Sequence, residues 1–210
     1  MDAAQSLAAF TIAATLVTVM PGLDTALVLR TTATEGGRRA MLAALGIGTG
    51  CFAWGAIVAC GLGALLVASQ FAYDVLKWAG AAYLFCLGLK VISSPCQRFD
   101  IGAGIVKPGS TSATWFCRGF LTNILNPKVG VFYVSFLPQF IPAGTDVPAL
   151  TIMMAAIHVS LGLIWFAALI TATRPIVEML RKPAVITWLN RITGSLFIAF
   201  GVRVAFESRR

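Results

Sequence analysis

The sequence predicts an all-α membrane protein in which six transmembrane helices form two inverted three-helix repeats. Three observations lead to this fold class: the apolar composition, the number of long apolar runs, and a central linker that leaves three runs on either side. The 210 residues are 58% hydrophobic and 11% charged, with a mean hydropathy of +0.86. Because a soluble domain of this length cannot bury so much apolar surface, the composition predicts that the chain lies in a lipid bilayer.

Each apolar run exceeds the about 20 residues that a helix needs to cross the hydrocarbon. The six runs cover residues 5–29, 39–69, 71–92, 114–141, 147–173 and 185–206. The N-terminal segment has no basic residue before Arg30. Since a cleavable signal begins with a basic region, we expect the first run to be retained as a helix.

The segment 94–113 is rich in Gly, Pro and Ser and is predicted to be a cytoplasmic linker. It separates a first repeat, residues 5–93, from a second repeat, residues 114–206. Because each half contains an odd number of spans, the second half must enter the membrane in the opposite orientation. This is the condition for an inverted repeat.

The net charge of +8 is unevenly distributed, which argues against a nucleic-acid partner. Eleven of the sixteen basic residues flank loops on one predicted side of the membrane: Arg30, Arg38, Arg39, Lys90, Arg98, Lys107, Arg118, Arg174, Arg181, Lys182 and Arg191. Such loops are usually cytoplasmic, so this pattern predicts that both termini lie outside. Arg203, Arg209 and Arg210 at the C-terminus oppose this orientation.

A proline and a charge occur together within an apolar run twice, at Pro21-Gly22-Leu23-Asp24 and at Asn126-Pro127-Lys128. Each proline removes an amide donor, and Gly22 further frees the backbone. In hydrocarbon the released backbone groups need partners from protein or trapped water. A central Asp or Lys adds about 2.5–3.5 kcal/mol on insertion scales. Matched interruptions of this kind predict a transport site near the bilayer midplane.

The residues at these interruptions suggest a site for a zwitterion. Asp24 would bind an ammonium group or carry a coupling proton, Lys128 would bind a carboxylate, and Asn123 and Asn126 would orient the ligand. Two structural alternatives remain: Asp24 caps a half-helix, or Asp24 and Lys128 form a structural ion pair across the two halves. The ion pair is compatible with a binding site if substrate replaces it. His158 is the only histidine. It is either a hydrogen-bonded packing residue or a proton relay, because imidazole titrates near neutral pH.

The sequence contains no HExxH, GxSxG, Walker A or GxGxxG motif, so it predicts neither an enzyme nor a cofactor. The five cysteines show no disulfide or metal-binding spacing. A metal or cation exporter is the alternative transport function, but Asp24 and His158 are nearly alone as potential ligands. Gly46 and Gly50 form a small-xxx-small pair that serves either bundle packing or a homodimer contact.

Two long stretches resemble the lysine exporter family of the LysE/RhtB type. Residues 21–50, PGLDTALVLRTTATEGGRRAMLAALGIGTG, are similar to its first two helices. Residues 119–140, GFLTNILNPKVGVFYVSFLPQF, resemble its fourth-helix signature, and residues 79–90, AGAAYLFCLGLK, resemble its third helix. One departure is Leu23, which stands where the family usually has a second proline, so the helix is expected to restart more smoothly.

The resemblance implies a multi-pass exporter of amino acids or related small metabolites in the bacterial inner membrane. It also implies dependence on the proton motive force, with H⁺ as the coupling ion. The family's motif positions correspond here to Pro21, Gly22 and Asp24 in the first motif. In the second they correspond to Asn126, Pro127 and Lys128. The resemblance does not define the substrate, because members of the family differ in what they export.

Overall fold

The computed structural model describes residues 3–68, 111–142, 144–172 and 182–206, together with isolated helical positions between 78 and 93. Helices and helical turns make up nearly all of this part of the chain, in agreement with the predicted all-α class. The predicted third span, 71–92, lies outside the described residues except at those isolated positions. The predicted linker, 94–113, lies outside them except at 111–113.

The described helices follow one another with short connections. They are α1 (Ala3–Val19), α2 (Leu23–Glu35), α3 (Gly37–Ala68), α4 (Ser112–Ile124), α5 (Pro127–Val131), α6 (Val147–Thr171) and α7 (Pro183–Phe206). Between α5 and α6 the chain makes a π-helical turn, Phe132–Phe136, and a 3₁₀ turn, Leu137–Phe140. The second turn contains Pro138 and Gln139.

Within the described residues, two helices are individually long and apolar enough to cross a membrane: Gly37–Gly61 of α3, and α6. The pair α1 and α2 is a third candidate span if its two helices are counted together, and it bends by 50° at its break. The chain is therefore a membrane protein with multiple apolar helices.

Helix α3 lies at the centre of the described bundle and packs against α2, α4 and α6. Its contact with α4 brings the two backbones together. A Cβ added at Gly46 would lie 2.0 Å from the Phe116 carbonyl oxygen, and one added at Gly119 would lie 2.0 Å from the Ala43 carbonyl oxygen. Gly46 therefore serves packing within the bundle. In lipid, where tails are as apolar as side chains, such close contact is a main source of helix association.

A second close contact joins the isolated positions before 93 to α7. A Cβ at Gly88 would lie 2.6 Å from the Gly194 carbonyl oxygen, and one at Gly194 would lie 2.7 Å from the Gly88 carbonyl oxygen. The two glycines thus let the last predicted helix of each half approach backbone to backbone.

Aromatic rings fix the segment that follows α5 against α1 and α6. Phe10 of α1 lies with its ring centroid 5.7 Å from that of Phe132 and 5.6 Å from that of Phe140. The Phe132 and Phe136 rings stack at 5.3 Å. Because these rings are almost completely buried, the irregular turns are held by packing on both sides and keep α5 in place.

Candidate functional site

The first interruption leaves a carbonyl without its helical donor. In an α-helix the amide of residue 21 would bond to the carbonyl of residue 17, but Pro21 has no N–H. Helix α1 ends at Val19, and α2 begins at Leu23 after an extended Gly22. Gly22 then accepts the first bond of the new helix, from the amide of Ala26 at 2.9 Å.

Lys128, from the second half of the chain, binds this break. Its ammonium Nζ donates to the Val17 carbonyl at 3.1 Å and to the Met20 carbonyl at 3.0 Å. The first of these carbonyls is the one that Pro21 leaves unpaired. Gly22 gives the ammonium room, because a Cβ there would lie 3.1 Å from Nζ. The lysine thus satisfies backbone groups that lipid could not.

The second interruption builds the helix start that carries Lys128. Helix α4 ends at Ile124, and Asn126 caps α5 by accepting the Lys128 amide on its side-chain oxygen at 3.1 Å. Pro127 occupies the first turn of α5, where a missing N–H costs nothing. Only five residues later the helix widens into the π turn. Such π segments often occur at functional sites.

Asp24, in the first turn of α2, is hydrogen-bonded by a side chain from the second half of the chain. Its Oδ2 accepts from the Asn123 side-chain amide at 2.9 Å, and both side chains are buried. The same amide lies 3.4 Å from the Cys51 sulfur on α3. Asn123 stands in the last turn of α4, just before the second break. Each interruption therefore supplies a side chain that holds the other.

Asp24 and Lys128 do not form a direct ion pair. They are close enough to interact electrostatically, and both line one cavity. The space between the atoms of this cavity is about 460 Å³, including the part open to the outside. Its other polar lining residues are Thr18, Thr25, Cys51 and His158, and its apolar wall comes mainly from α3 and α6.

Four buried polar atoms at the two breaks have no hydrogen-bond partner. They are Thr18 Oγ1, Asp24 Oδ1, Asn123 Oδ1 and Asn126 Nδ2. Because buried polar groups in folded proteins are nearly always paired, such a cluster needs an explanation. Thr18 and Asp24 line the cavity, so their free oxygens can bind a polar ligand or water that enters it.

His158 on α6 lies at the cavity wall, where it is 6% exposed. Its Nδ1 is 3.1 Å from the Tyr133 hydroxyl. The imidazole also packs against the Phe132 ring, with centroids 5.0 Å apart. The residue is thus hydrogen-bonded and packed, and it also reaches the same space as the two charged side chains.

Four polar residues of the site were not selected from the sequence: Thr18, Thr25, Cys51 and Tyr133. Thr18 and Thr25 each lie within about one turn of the first break, a signal that could have identified them. Cys51 follows Gly50, whose missing side chain gives space to Asn123. Nothing in the sequence indicates that Cys51 and Asn123 lie together. Within the described residues, no group of three or more His, Cys, Asp or Glu side chains could hold a metal ion.

Comparisons with known proteins agree on one family. The sequence model of a protein family, described as LysE type translocator, matches residues 15–208 of this chain. The membrane protein YrhP of Bacillus subtilis, which is uncharacterised, is 29% identical over 208 residues, covering 96% of this chain and 99% of its own length. A homoserine/homoserine lactone efflux protein of Salmonella typhimurium is 28% identical over 94% of both chains. A leucine efflux protein of an Enterobacter species is 28% identical over 93% of both. No solved structure matches the chain.

Proposed function

Because the chain belongs to the LysE type translocator family, whose members are transporters and not enzymes, we propose that it exports an amino acid or a closely related small metabolite across the bacterial inner membrane. Its relatives at 28% identity are named for efflux of homoserine or homoserine lactone and of leucine. Homoserine and leucine each carry an ammonium and a carboxylate, whereas the lactone carries only the ammonium. The two amino acids fit a cavity lined by one carboxylate and one ammonium.

In the proposed site, Asp24 binds the substrate ammonium and Lys128 binds its carboxylate. The observation that carries the proposal is the meeting of both charges, and of unpaired buried polar atoms, at the two helix breaks. Asp24 Oδ1 has no partner and can accept from the ammonium. Asn123 donates to Asp24 Oδ2, and Asn126 accepts from the backbone amide of Lys128, so the two residues position the charged groups and thereby orient the ligand.

Substrate binding then competes with an internal contact. The Lys128 ammonium donates to two neutral carbonyls of the first break. A substrate carboxylate adds the attraction between opposite charges to the hydrogen bond, which a neutral carbonyl does not offer, so it can draw the ammonium away. This exchange would loosen α5 from the end of α1. The site would thereby connect substrate binding to movement of one half against the other.

The proposal includes six spans in two inverted repeats, with a cytoplasmic linker at 94–113 and both termini outside. The helix contacts support it. Helix α1 packs against α6 and α4 packs against α3, and an inverted repeat would exchange these two pairs. The contacts of α3 with α6 and of Gly88 with Gly194 would each lie across the pseudo-twofold axis.

The proposal also couples export to the proton motive force. The candidate proton carriers are Asp24 and His158, since both line the cavity. His158 has the Tyr133 hydroxyl as its partner, through which a proton could pass.

Purified protein in proteoliposomes loaded with labelled homoserine or leucine tests the function. Wild-type protein is expected to release label, while Asp24→Asn and Lys128→Met lower the rate at least about thirtyfold, as expected for loss of a buried charged partner. The matched control is Arg118→Met, which removes a cation that lies over the Trp115 ring, outside the cavity. Release of a divalent cation, with no release of any amino acid, would contradict the proposal.

A further inference from the structure

We propose that the cavity contains a subsite for a neutral, aliphatic substrate side chain, formed by Ile47, Leu163 and Phe166 around Gly48 and Gly162. This inference rests on the proposed function and extends it by naming the class of amino acid. It concerns the apolar part of the wall, which neither Asp24 nor Lys128 forms.

The lining residues follow one face of each of two helices. On α3 they run from Ala44 to Cys51, and on α6 from His158 to Phe166. Seven or eight residues of helix correspond to about 10–12 Å along the axis, so the wall is two turns long. A cavity of that length can contact the charged part of an amino acid at one end and its side chain at the other.

The two ends of this wall differ in polarity. At one end Cys51 contacts Asn123, which in turn holds Asp24. At the other end Ala44 and Phe166 belong to an apolar cluster with Val28. The charged groups of a zwitterion would therefore lie at the Cys51 end, and its side chain would point toward Phe166.

The apolar end excludes a third charge. Among the cavity residues that the structure describes, Asp24 and Lys128 are the only Asp, Glu, Lys or Arg side chains. The extra charge of a lysine or glutamate substrate would be buried there without a partner, which is strongly unfavourable. A hydroxyl is different, because an apolar pocket rejects it only weakly. The subsite thus accepts aliphatic side chains and tolerates a small hydroxyl.

Gly162 controls the size of the side chain that fits. A Cβ added there would meet only the Phe166 ring, at 4.0 Å, so the position accepts a methyl group, which takes space from the cavity. Gly48 is a poorer probe, because a Cβ there would lie 3.1 Å from Val159. Gly162 is therefore the residue whose enlargement should change specificity without disturbing the fold.

The test is competition for exchange of labelled leucine in proteoliposomes. With wild-type protein, unlabelled leucine is expected to compete, and lysine and glutamate are not. Gly162→Val is expected to weaken competition by leucine relative to alanine by about tenfold or more, the usual effect of one or more methylene groups in a pocket. The matched control is Gly61→Val on α3, where an added Cβ meets nothing within 4 Å and which lies outside the cavity.

The outcomes separate this inference from the function on which it rests. If wild-type protein exchanges no amino acid, the proposed function fails first. If it exchanges leucine but lysine competes equally, or Gly162→Val leaves the leucine-to-alanine ratio unchanged, the subsite is overturned. If Gly162→Val gives no folded protein, Gly162→Ala gives the same reading: a shift of the ratio toward alanine supports the subsite, and an unchanged ratio overturns it.

Discussion

The ammonium of Lys128 replaces the backbone amide that Pro21 lacks. It donates at 3.1 Å to the Val17 carbonyl, the group to which residue 21 would bond in an unbroken helix. The two residues come from opposite halves of the chain, 107 positions apart in the sequence (128 minus 21). A helix defect in one half is thus repaired by a charge from the other, and a ligand that competes for that charge can reopen it.

This relationship predicts that Pro21 and Lys128 are energetically coupled. Lys128→Met should destabilise the protein, because each buried group left unpaired costs about 1–3 kcal/mol. In a Pro21→Ala background the new amide can bond to Val17, so Lys128→Met should cost about 1 kcal/mol less. Thermal unfolding of the two single variants and the double variant in detergent measures the coupling.

The control for this cycle is Pro148→Ala combined with Lys128→Met. Pro148 lies exposed in the first turn of α6, where its missing N–H leaves no carbonyl unpaired. Those two changes should be additive. If the stability effects of Pro21→Ala and Lys128→Met are also additive, the Lys128 ammonium does not compensate for the amide that Pro21 lacks.

The contact between Gly50 and Asn123 predicts that a methyl group outside the cavity impairs transport. A Cβ at Gly50 would lie 2.6 Å from Asn123 Oδ1 and 2.9 Å from its Cβ, so Asn123 must shift, which disturbs its hydrogen bond to Asp24. We expect Gly50→Ala to lower export about tenfold or more, as a displacement of about 1 Å at a site does. Initial rates in proteoliposomes measure this, with Gly61→Ala as the control on the same helix. Export equal to that of the control would show that Asn123 does not position Asp24.

The backbone contact between α3 and α4 predicts a loss of stability at Gly119. An added Cβ would lie 2.0 Å from the Ala43 carbonyl oxygen. This oxygen belongs to the backbone of α3 and cannot move aside unless the helix itself moves. Gly119→Ala should therefore lower the free energy of unfolding by about 1–3 kcal/mol, although Ala is the better helix former. The melting temperature in detergent reports the loss, and an unchanged value would mean that the helices can separate freely.

The sequence predicts the positions of the helix breaks because proline acts locally. Pro21 and Pro127 each interrupt a helix through the one amide that they lack, so no tertiary information is needed. The charges beside them were equally visible, because Asp24 and Lys128 are unusual within apolar runs. Their meeting in one cavity follows from placing the two breaks at a common depth.

The partners of those charges could not be predicted in the same way. The sequence suggested a direct pair between Asp24 and Lys128 as one alternative. The ammonium instead binds main-chain carbonyls, which every residue possesses and no pattern marks. The carboxylate binds Asn123, whose place depends on the missing side chain of Gly50. Contacts of this kind depend on how the helices pack, and a single sequence does not state that packing.

His158 permits a prediction that separates energy coupling from substrate binding. If it relays the coupling proton, His158→Gln should abolish export that is driven uphill by an imposed pH gradient while retaining exchange of labelled for unlabelled substrate. Tyr133→Phe removes the hydroxyl that lies 3.1 Å from His158 Nδ1. Like His158→Gln, it should impair uphill export. Loss of exchange and uphill export in equal proportion would assign His158 to packing alone.

The zwitterion site is tested most directly by competition with substrate analogues that lack one charge. Proteoliposomes containing wild-type protein exchange labelled leucine in the presence of leucine, of 4-methylpentanoate, which has no ammonium, or of isoamylamine, which has no carboxylate. We predict that leucine competes at least about thirtyfold better than either analogue, and that Lys128→Met weakens competition by leucine but leaves competition by isoamylamine unchanged. Equal competition by all three compounds, or unchanged leucine exchange in both Lys128→Met and Asp24→Asn, would contradict binding of an amino acid between these two residues.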